Sequence, residues 1–203
     1  MKIKNIVFDF GGVLMDWDPR YFFKSYFNDD EKMEYFLTHI AHSEWNEEQD
    51  RGRTLEEGTD IQVKKFPDWE KELRAYYGNW NTMLKSDIPH NVDILKKLSK
   101  TDYQLFGLTN WSAETFPYAL ENYDFFKLFD GKIVVSGTEK LIKPDPKIWH
   151  ILLDRYNIHA DESVFIDDNP KNIEMAASLG FHTIKVDRET DLEEELFKLG
   201  VKL

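Results

Sequence analysis

Apolar and polar positions along the chain fall into two regimes. At the start, Ile3, Ile6, Val7 and Phe8 form a short β-branched and aromatic run that ends at Asp9-Phe10-Gly11-Gly12, the pattern of a buried strand feeding a glycine turn. From residue 16 to about residue 87 the pattern changes. Trp, Tyr and Phe are scattered among many charges, with helical spacing over 31–40 and 68–77, which predicts about four helices. Beyond that block, strand-like runs over 103–108, 132–135, 163–166 and 182–186 alternate with helical segments, the signature of an α/β sheet. Such alternation calls for right-handed parallel crossovers, and ligands of these sheets gather beyond the C-terminal strand ends.

Helix boundaries agree with this layout. Asn169-Pro170 offers an N-cap followed by proline at the first helical position, and Gly180 supplies a left-handed terminus, so 170–179 is predicted helical. Thr190 with Glu193 predicts a capping box for a last helix that Gly200 ends.

Composition narrows the function. The 203 residues include no cysteine, which removes thiolate nucleophiles, cysteine-ligated metals and disulfides, and makes a cytoplasmic address the expectation. Against 26 Lys and Arg stand 38 Asp and Glu, a formal net charge of −12, which opposes binding to nucleic acid and to anionic membrane surfaces. No charge-free run approaches the roughly 20 apolar residues of a membrane span, and the first residues lack the basic and apolar regions of a signal peptide. The expected partner is a small molecule, and the expected state a monomer or homodimer.

The strand exits carry the chemistry. The first ends in Asp9, the second in Thr109-Asn110 and the fourth in Asp167-Asp168, while Lys143-Pro144 opens a helix after the third. Three carboxylates brought together repel each other and normally stay ionised only around a hard cation, for which Mg2+ is the natural choice. A hydroxyl, an amide and an ammonium are what the equatorial oxygens of a phosphoryl group require. Lys140 is the fallback for Lys143. The cap-region tryptophans Trp17, Trp45, Trp69 and Trp80 fit helix packing, with Trp45 the one among them considered for facing substrate, and Trp111 is placed at the pocket or against the helical block.

In this order, Asp9-Phe10-Gly11-Gly12-Val13, Leu108-Thr109-Asn110, Lys143-Pro144-Asp145-Pro146 and Phe165-Ile166-Asp167-Asp168-Asn169 resemble the four motifs of the haloacid dehalogenase-like hydrolase superfamily. The resemblance implies a Rossmann-like parallel-sheet core, residues 1–15 and 88–203, with a small all-helical cap inserted at 16–87. Stretches at 16–20 and 45–52 are most similar to phosphatases of small sugar phosphates, glucose 1-phosphate among them. By that resemblance Asp9 is the nucleophile that becomes an aspartyl-phosphate, and Lys143 offsets charge on Asp9 and phosphate. Thr109, the amide of Asn110, Gly12, Trp111 and Trp45 face the substrate. Asp9, the carbonyl of Gly11 and Asp168 hold Mg2+, with Asp167 a ligand directly or through water.

One departure stands out. Phosphatases of this superfamily usually carry a second aspartate two residues after the nucleophile, and here that position is Gly11. Asp16 is the expected substitute for this acid and base. The leading expectation is an Mg-dependent phosphomonoesterase. The alternatives are an L-2-haloacid dehalogenase, which the resemblance also allows, and a noncatalytic phosphate-binding protein in which Gly11 marks lost turnover.

Overall fold

The computed structural model describes residues 2–203; Met1, the first residue of the expected core, lies outside the described residues. The chain opens with β1 (Asn5–Phe8), all four residues buried. The strands β2 (Met15–Trp17) and β3 (Leu84–Asp87) pair antiparallel and bracket six helices: α1 (Arg20–Phe27), α2 (Asp30–Tyr35), α3 (Ser43–Asp50), α4 (Leu55–Lys65), α5 (Glu70–Gly78) and α6 (Trp80–Met83). After α7 (Pro89–Leu98) come β4 (Gln104–Thr109), α8 (Phe116–Asn122), β5 (Ile133–Val135) and the single turn α9 (Ser136–Glu139). The chain closes with α10 (Pro146–Tyr156), β6 (Ser163–Asp167), α11 (Pro170–Ser178), β7 (His182–Lys185) and α12 (Leu192–Lys198).

Five strands form one parallel sheet in the order β5-β4-β1-β6-β7, with β1 at its centre. Strand alternation sends Ile6 and Phe8 to one face, where they meet Val92 and Leu95 of α7 and Leu196 of α12. Val7, with Phe106 and Phe165, points to the other, against Trp149 of α10 and Ala176 of α11. A helix layer therefore covers each face, and both flanks of β1 are sealed by hydrogen-bonded neighbours, so only its C-terminal end is open to a ligand.

The inserted helices have a core of their own. Phe23, Phe36, Leu73, Tyr76 and Met83 pack together there, and Phe23 has no exposed surface. The helix predicted over 31–40 divides in two. Its second half, Phe36–Ile40, is a π-helical turn in which Ala41 N–H reaches the Phe36 carbonyl. The segment predicted over 68–77 starts as a 3-10 turn, Pro67–Trp69, before α5 takes over. The last helix is capped by Asp191, whose carboxylate accepts from Glu194 N–H at 3.1 Å, and not by Thr190. Thr190 instead donates its hydroxyl to Asp187 at 2.8 Å, closing the preceding turn.

Phe23 packs against Phe22, Tyr26, Phe27, Phe36 and Tyr76. Phe23→Ala should lower the unfolding free energy by about 3–5 kcal/mol, as deletion of a buried aromatic ring does. Urea titration followed by circular dichroism measures it.

Candidate active site

Each chemical group expected at the sheet edge reaches it by register. Phe8 pairs with Gly107 on one side and Ile166 on the other, so the next residue, Asp9, comes level with Asp167, and Asp9 N–H donates to the Ile166 carbonyl at 2.8 Å. Thr109 closes the adjacent strand β4. Lys143 arrives from the loop between α9 and α10 and is 2% exposed. Its ammonium lies 3.0 Å from Asp9 Oδ1 and 2.6 Å from Asp167 Oδ2, above the ring of Phe165. Lys140 is exposed and left-handed, so Lys143 is the lysine of the site.

Asp9, Asp167 and Asp168 offer oxygens that all lie within 4.8 Å of one another. Three carboxylates against the one ammonium of Lys143 leave an excess of two negative charges. Burial first of all pushes Asp9 up, to about 7; Lys143 opposes the rise and the charges of Asp167 and Asp168 add to it. Asp168 is raised too, by burial and then by Asp167. Burial alone would depress Lys143, yet the two carboxylates outweigh it and hold the ammonium charged. The donor set, all oxygen and two charges in excess, fits a divalent hard cation.

Asp167 is largely occupied within the protein. Besides Lys143 it accepts from Asn169 N–H at 2.8 Å and from the Asn172 amide at 3.1 Å on both oxygens. Asp168 is free of such ties and is accommodated by Gly12. A Cβ on Gly12 would sit 2.3 Å from Asp168 Oδ2, and its φ of +70° favours glycine. Gly12 N–H itself donates to the Met15 carbonyl at 2.9 Å. Gly12 makes room for that carboxylate, and its own N–H is spent in the turn. That turn leaves the Gly11 carbonyl without a main-chain partner among the described residues.

The remaining expected residues divide. Thr109 Oγ1, at the end of the strand next to β1, is buried with no hydrogen-bond partner, an unmet donor that suits an anionic oxygen. Asn110 uses both ends of its side-chain amide on the main chain of Lys143, at 2.8 and 3.0 Å, so only its main-chain N–H is left for an anion. Trp111 lines a cavity of about 140 Å³ between the sheet edge and the inserted helices. Trp45 does not: it is buried in the helical core against Tyr76 and Tyr77, its indole N–H on the Gly58 carbonyl at 2.8 Å. Asp16 does not either. Its neighbours Met15 and Trp17 form part of the cavity wall, while the Asp16 carboxylate is held by the Tyr21 hydroxyl at 2.8 and 2.9 Å.

Three residues of the site went unread in the sequence. Asn172 lies one turn into α11 and orients Asp167. Asn46 and Asp50 of α3 stand on the cavity wall with Gly11. The local signal for Asp50 is its position: a carboxylate in the last turn of a helix faces the negative end of the macrodipole and is unfavourable there without another reason.

The chain belongs to the haloacid dehalogenase-like hydrolase family, which it matches over residues 6–186. It is 27% identical to the D-ribitol-5-phosphate phosphatase of Bacteroides thetaiotaomicron, across 96% of this chain and 97% of that one. A HAD-family enzyme of Bacteroides thetaiotaomicron, solved in complex with magnesium and inorganic phosphate, superposes with a TM-score of 0.70 at 26% identity, covering 95% of this chain and 98% of that one. Over 78 residues, 38% of its length, the chain is 46% identical to acyl-CoA dehydrogenase family member 10 of Mus musculus, of which it spans 7%. It spans 36% of drimenol cyclase drtB of Aspergillus calidoustus, at 25% identity. No helix among the described residues is long and apolar enough to cross a membrane.

The two site glycines should respond differently to a methyl group. Gly12→Ala forces a left-handed residue against Asp168 and should lower stability by about 1–2 kcal/mol from the backbone alone. Gly11→Ala, whose Cβ meets nothing within 4 Å, should leave the urea midpoint close to that of the parent protein.

Proposed function

We propose that this chain is a magnesium-dependent phosphomonoesterase acting on a small phosphorylated metabolite, a sugar phosphate by class. The observation that carries the reading is the cluster at the end of β1: three carboxylates, one ammonium and an unpartnered threonine hydroxyl converging where a phosphoryl group and a divalent cation satisfy all of them. The relatives that cleave phosphate esters and the neighbour that holds magnesium with phosphate support it.

In this reading Asp9, the Gly11 carbonyl and Asp168 hold Mg2+, and Asp167, committed to Lys143 and Asn172, orients the lysine. When bound, the ion offsets the repulsion between the substrate dianion and the carboxylates. Asp9 attacks phosphorus in line, forming an aspartyl-phosphate as the ester oxygen departs on the opposite side, and water then cleaves the acyl phosphate. Lys143 keeps one Asp9 oxygen in place and, with Thr109 and the Asn110 N–H, faces the charge that spreads over the phosphoryl oxygens.

The leaving group departs into the cavity, whose size of about 140 Å³ admits a small alcohol. Its wall combines the indoles of Trp17, Trp80 and Trp111 with the polar residues Asn46, Ser112 and Thr115. Aromatic faces for C–H surfaces and polar groups for hydroxyls match the two sides of a sugar.

Hydrolysis of p-nitrophenyl phosphate with and without magnesium tests the assignment. Activity should require the metal and vanish on EDTA addition, Asp9→Asn should reduce it to background, and acid quenching should yield phosphoaspartate on the parent chain. Halide release from an L-2-haloacid that persists in EDTA would instead establish a dehalogenase, and magnesium and phosphate binding with no turnover would establish a binding protein.

A further inference from the structure

The loop that carries the nucleophile supplies no acid, because Gly11 has no side chain. An ideal Cβ built there meets no atom within 4 Å and its φ is not left-handed, so the position opens directly into the cavity. Asp50 stands on the wall of that same cavity. Among the residues that line it, Asp50 and Tyr77 alone can exchange a proton near neutrality or above. Tyr77 is committed: its hydroxyl donates to Asn46 Oδ1 at 2.9 Å and accepts from the Gln49 amide at 2.7 Å.

Asp50 is fixed from both domains. Its carboxylate accepts from the Asn46 amide at 3.2 Å, and Asn46 is in turn held by Tyr77. Its main-chain carbonyl accepts the hydroxyl of Ser136, at the N-terminus of α9, at 2.6 Å. Ser136 Oγ also accepts the N–H of Trp111 at 2.9 Å, in the loop that follows Thr109. The last residue of α3 is thus tied to the two core segments beside the phosphate site. Burial pushes its carboxyl up to about 7, a hydrogen bond from Ser112 N–H opposes this, and the charges of Glu47 and Asp9 add to it. The macrodipole at the end of α3 acts in the same direction. Asp16, with its carboxylate on Tyr21, has neither the place nor the environment.

We infer that Asp50, delivered by the inserted helices, is the general acid and base of the reaction, taking the role that an aspartate at position 11 would hold. The inference rests on the phosphatase reading. In the first half-reaction an Asp9 oxygen bonds to phosphorus and the bond from phosphorus to the ester oxygen breaks. The departing oxygen takes the Asp50 proton, leaving as the alcohol with Asp50 ionised. In the second, ionised Asp50 takes a proton from water as the water oxygen bonds to phosphorus and the Asp9–phosphorus bond breaks. Asp9 returns as carboxylate, inorganic phosphate is released and Asp50 is protonated again. Gly11, two residues after Asp9, shares the cavity wall with Asp50, and the Asp9 charge reaches the Asp50 carboxyl, so an oxygen leaving in line from Asp9 into the cavity would depart towards Asp50.

The test compares a poor leaving group, an alkyl phosphate, with a good one, p-nitrophenyl phosphate, both with magnesium. For Asp50→Asn, kcat/KM on the alkyl phosphate should fall about 10²- to 10⁴-fold, the usual worth of general acid catalysis. On p-nitrophenyl phosphate it should fall far less, with a burst of one nitrophenolate per protein before slow turnover, because attack of water on the aspartyl-phosphate still lacks its base. Gly11→Asp placed in the Asp50→Asn background should restore alkyl phosphate turnover. Ser136→Ala, which loosens Asp50 and leaves it present, should show the same leaving-group bias in milder form, and serves if Asp50→Asn fails to fold. Equal losses on both substrates without a burst, or unchanged alkyl phosphate turnover, would overturn the assignment. Should the parent chain hydrolyse neither ester, or Asp9→Asn remain active, the phosphatase reading itself falls, and that result is distinct from any pattern among the Asp50 variants.

Discussion

A single ammonium group buried between two carboxylates governs the design of this molecule. An isolated ion taken out of water costs several kcal/mol even after relaxation, and Lys143 is tolerable only because Asp9 and Asp167 meet it at 3.0 and 2.6 Å. Those partners need their own support. Asn172 and the Asn169 N–H saturate Asp167, Asn110 clamps the main chain of Lys143, and the register of three adjacent parallel strands fixes where each begins. The balance remains incomplete. Two carboxylates within 4.8 Å of each other repel by roughly 3 kcal/mol or more at an effective dielectric constant of about 20, and one lysine cannot neutralise three of them. The fold holds this repulsion in place at the end of the buried central strand β1, so relief comes from a cation bound there.

The inserted helices close that cavity from the side opposite the sheet edge. They have their own aromatic core, and they meet the sheet domain beside the site through polar and aromatic contacts alike: Ser136 on the Asp50 carbonyl, Leu55 N–H on the Glu114 carboxylate at 2.8 Å, and Trp80 against Trp111 and Tyr118. The short β2–β3 ribbon is the covalent connection between the two parts. With Asp50 on the inserted helices, the proposed proton transfer depends on how those helices sit over Gly11, with which Asp50 shares the cavity wall.

The parts of this arrangement that were legible in the sequence are those in which local pattern and chemistry coincide. Short apolar runs ending in Asp9, Thr109 and Asp167 mark strand exits, and parallel pairing brings such exits together whatever the intervening loops do. Lys143 was identifiable for the same reason, as the cation of an ordered set. What escaped depends on contacts distant in sequence. The strands β2 and β3 are three and four residues long, too short to show alternation, and each is defined only by the other. Trp45 faces inward because α3 is packed by Tyr76 and Tyr77 of α5, which its own neighbours do not reveal. Asp16 looked suitable by proximity in sequence to Asp9, whereas the turn at Gly11-Gly12 and the hydroxyl of Tyr21 hold it off the cavity wall. Asp50 was hidden by the opposite circumstance: far from Asp9 along the chain, it reaches the site through a helix end docked on Ser136.

Moving the acid from the nucleophile's loop to the inserted helices changes what the protein can discriminate. An aspartate at position 11 would sit on the rigid sheet and protonate any leaving group that Asp9 can reach. Asp50, in the proposed role, protonates only those that fit beneath α3, because its position depends on Ser136 and on the Asn46–Tyr77 contacts. The glycine also leaves open the volume that an aspartate would fill, enlarging the leaving-group space next to phosphorus. An ill-fitting alcohol can thus be bound and still not be cleaved, since the interaction it forgoes is made in the transition state and not in the ground state. Specificity is then expressed in kcat more than in KM, and the helix that brings Asp50 to the cavity wall brings Asn46 there as well.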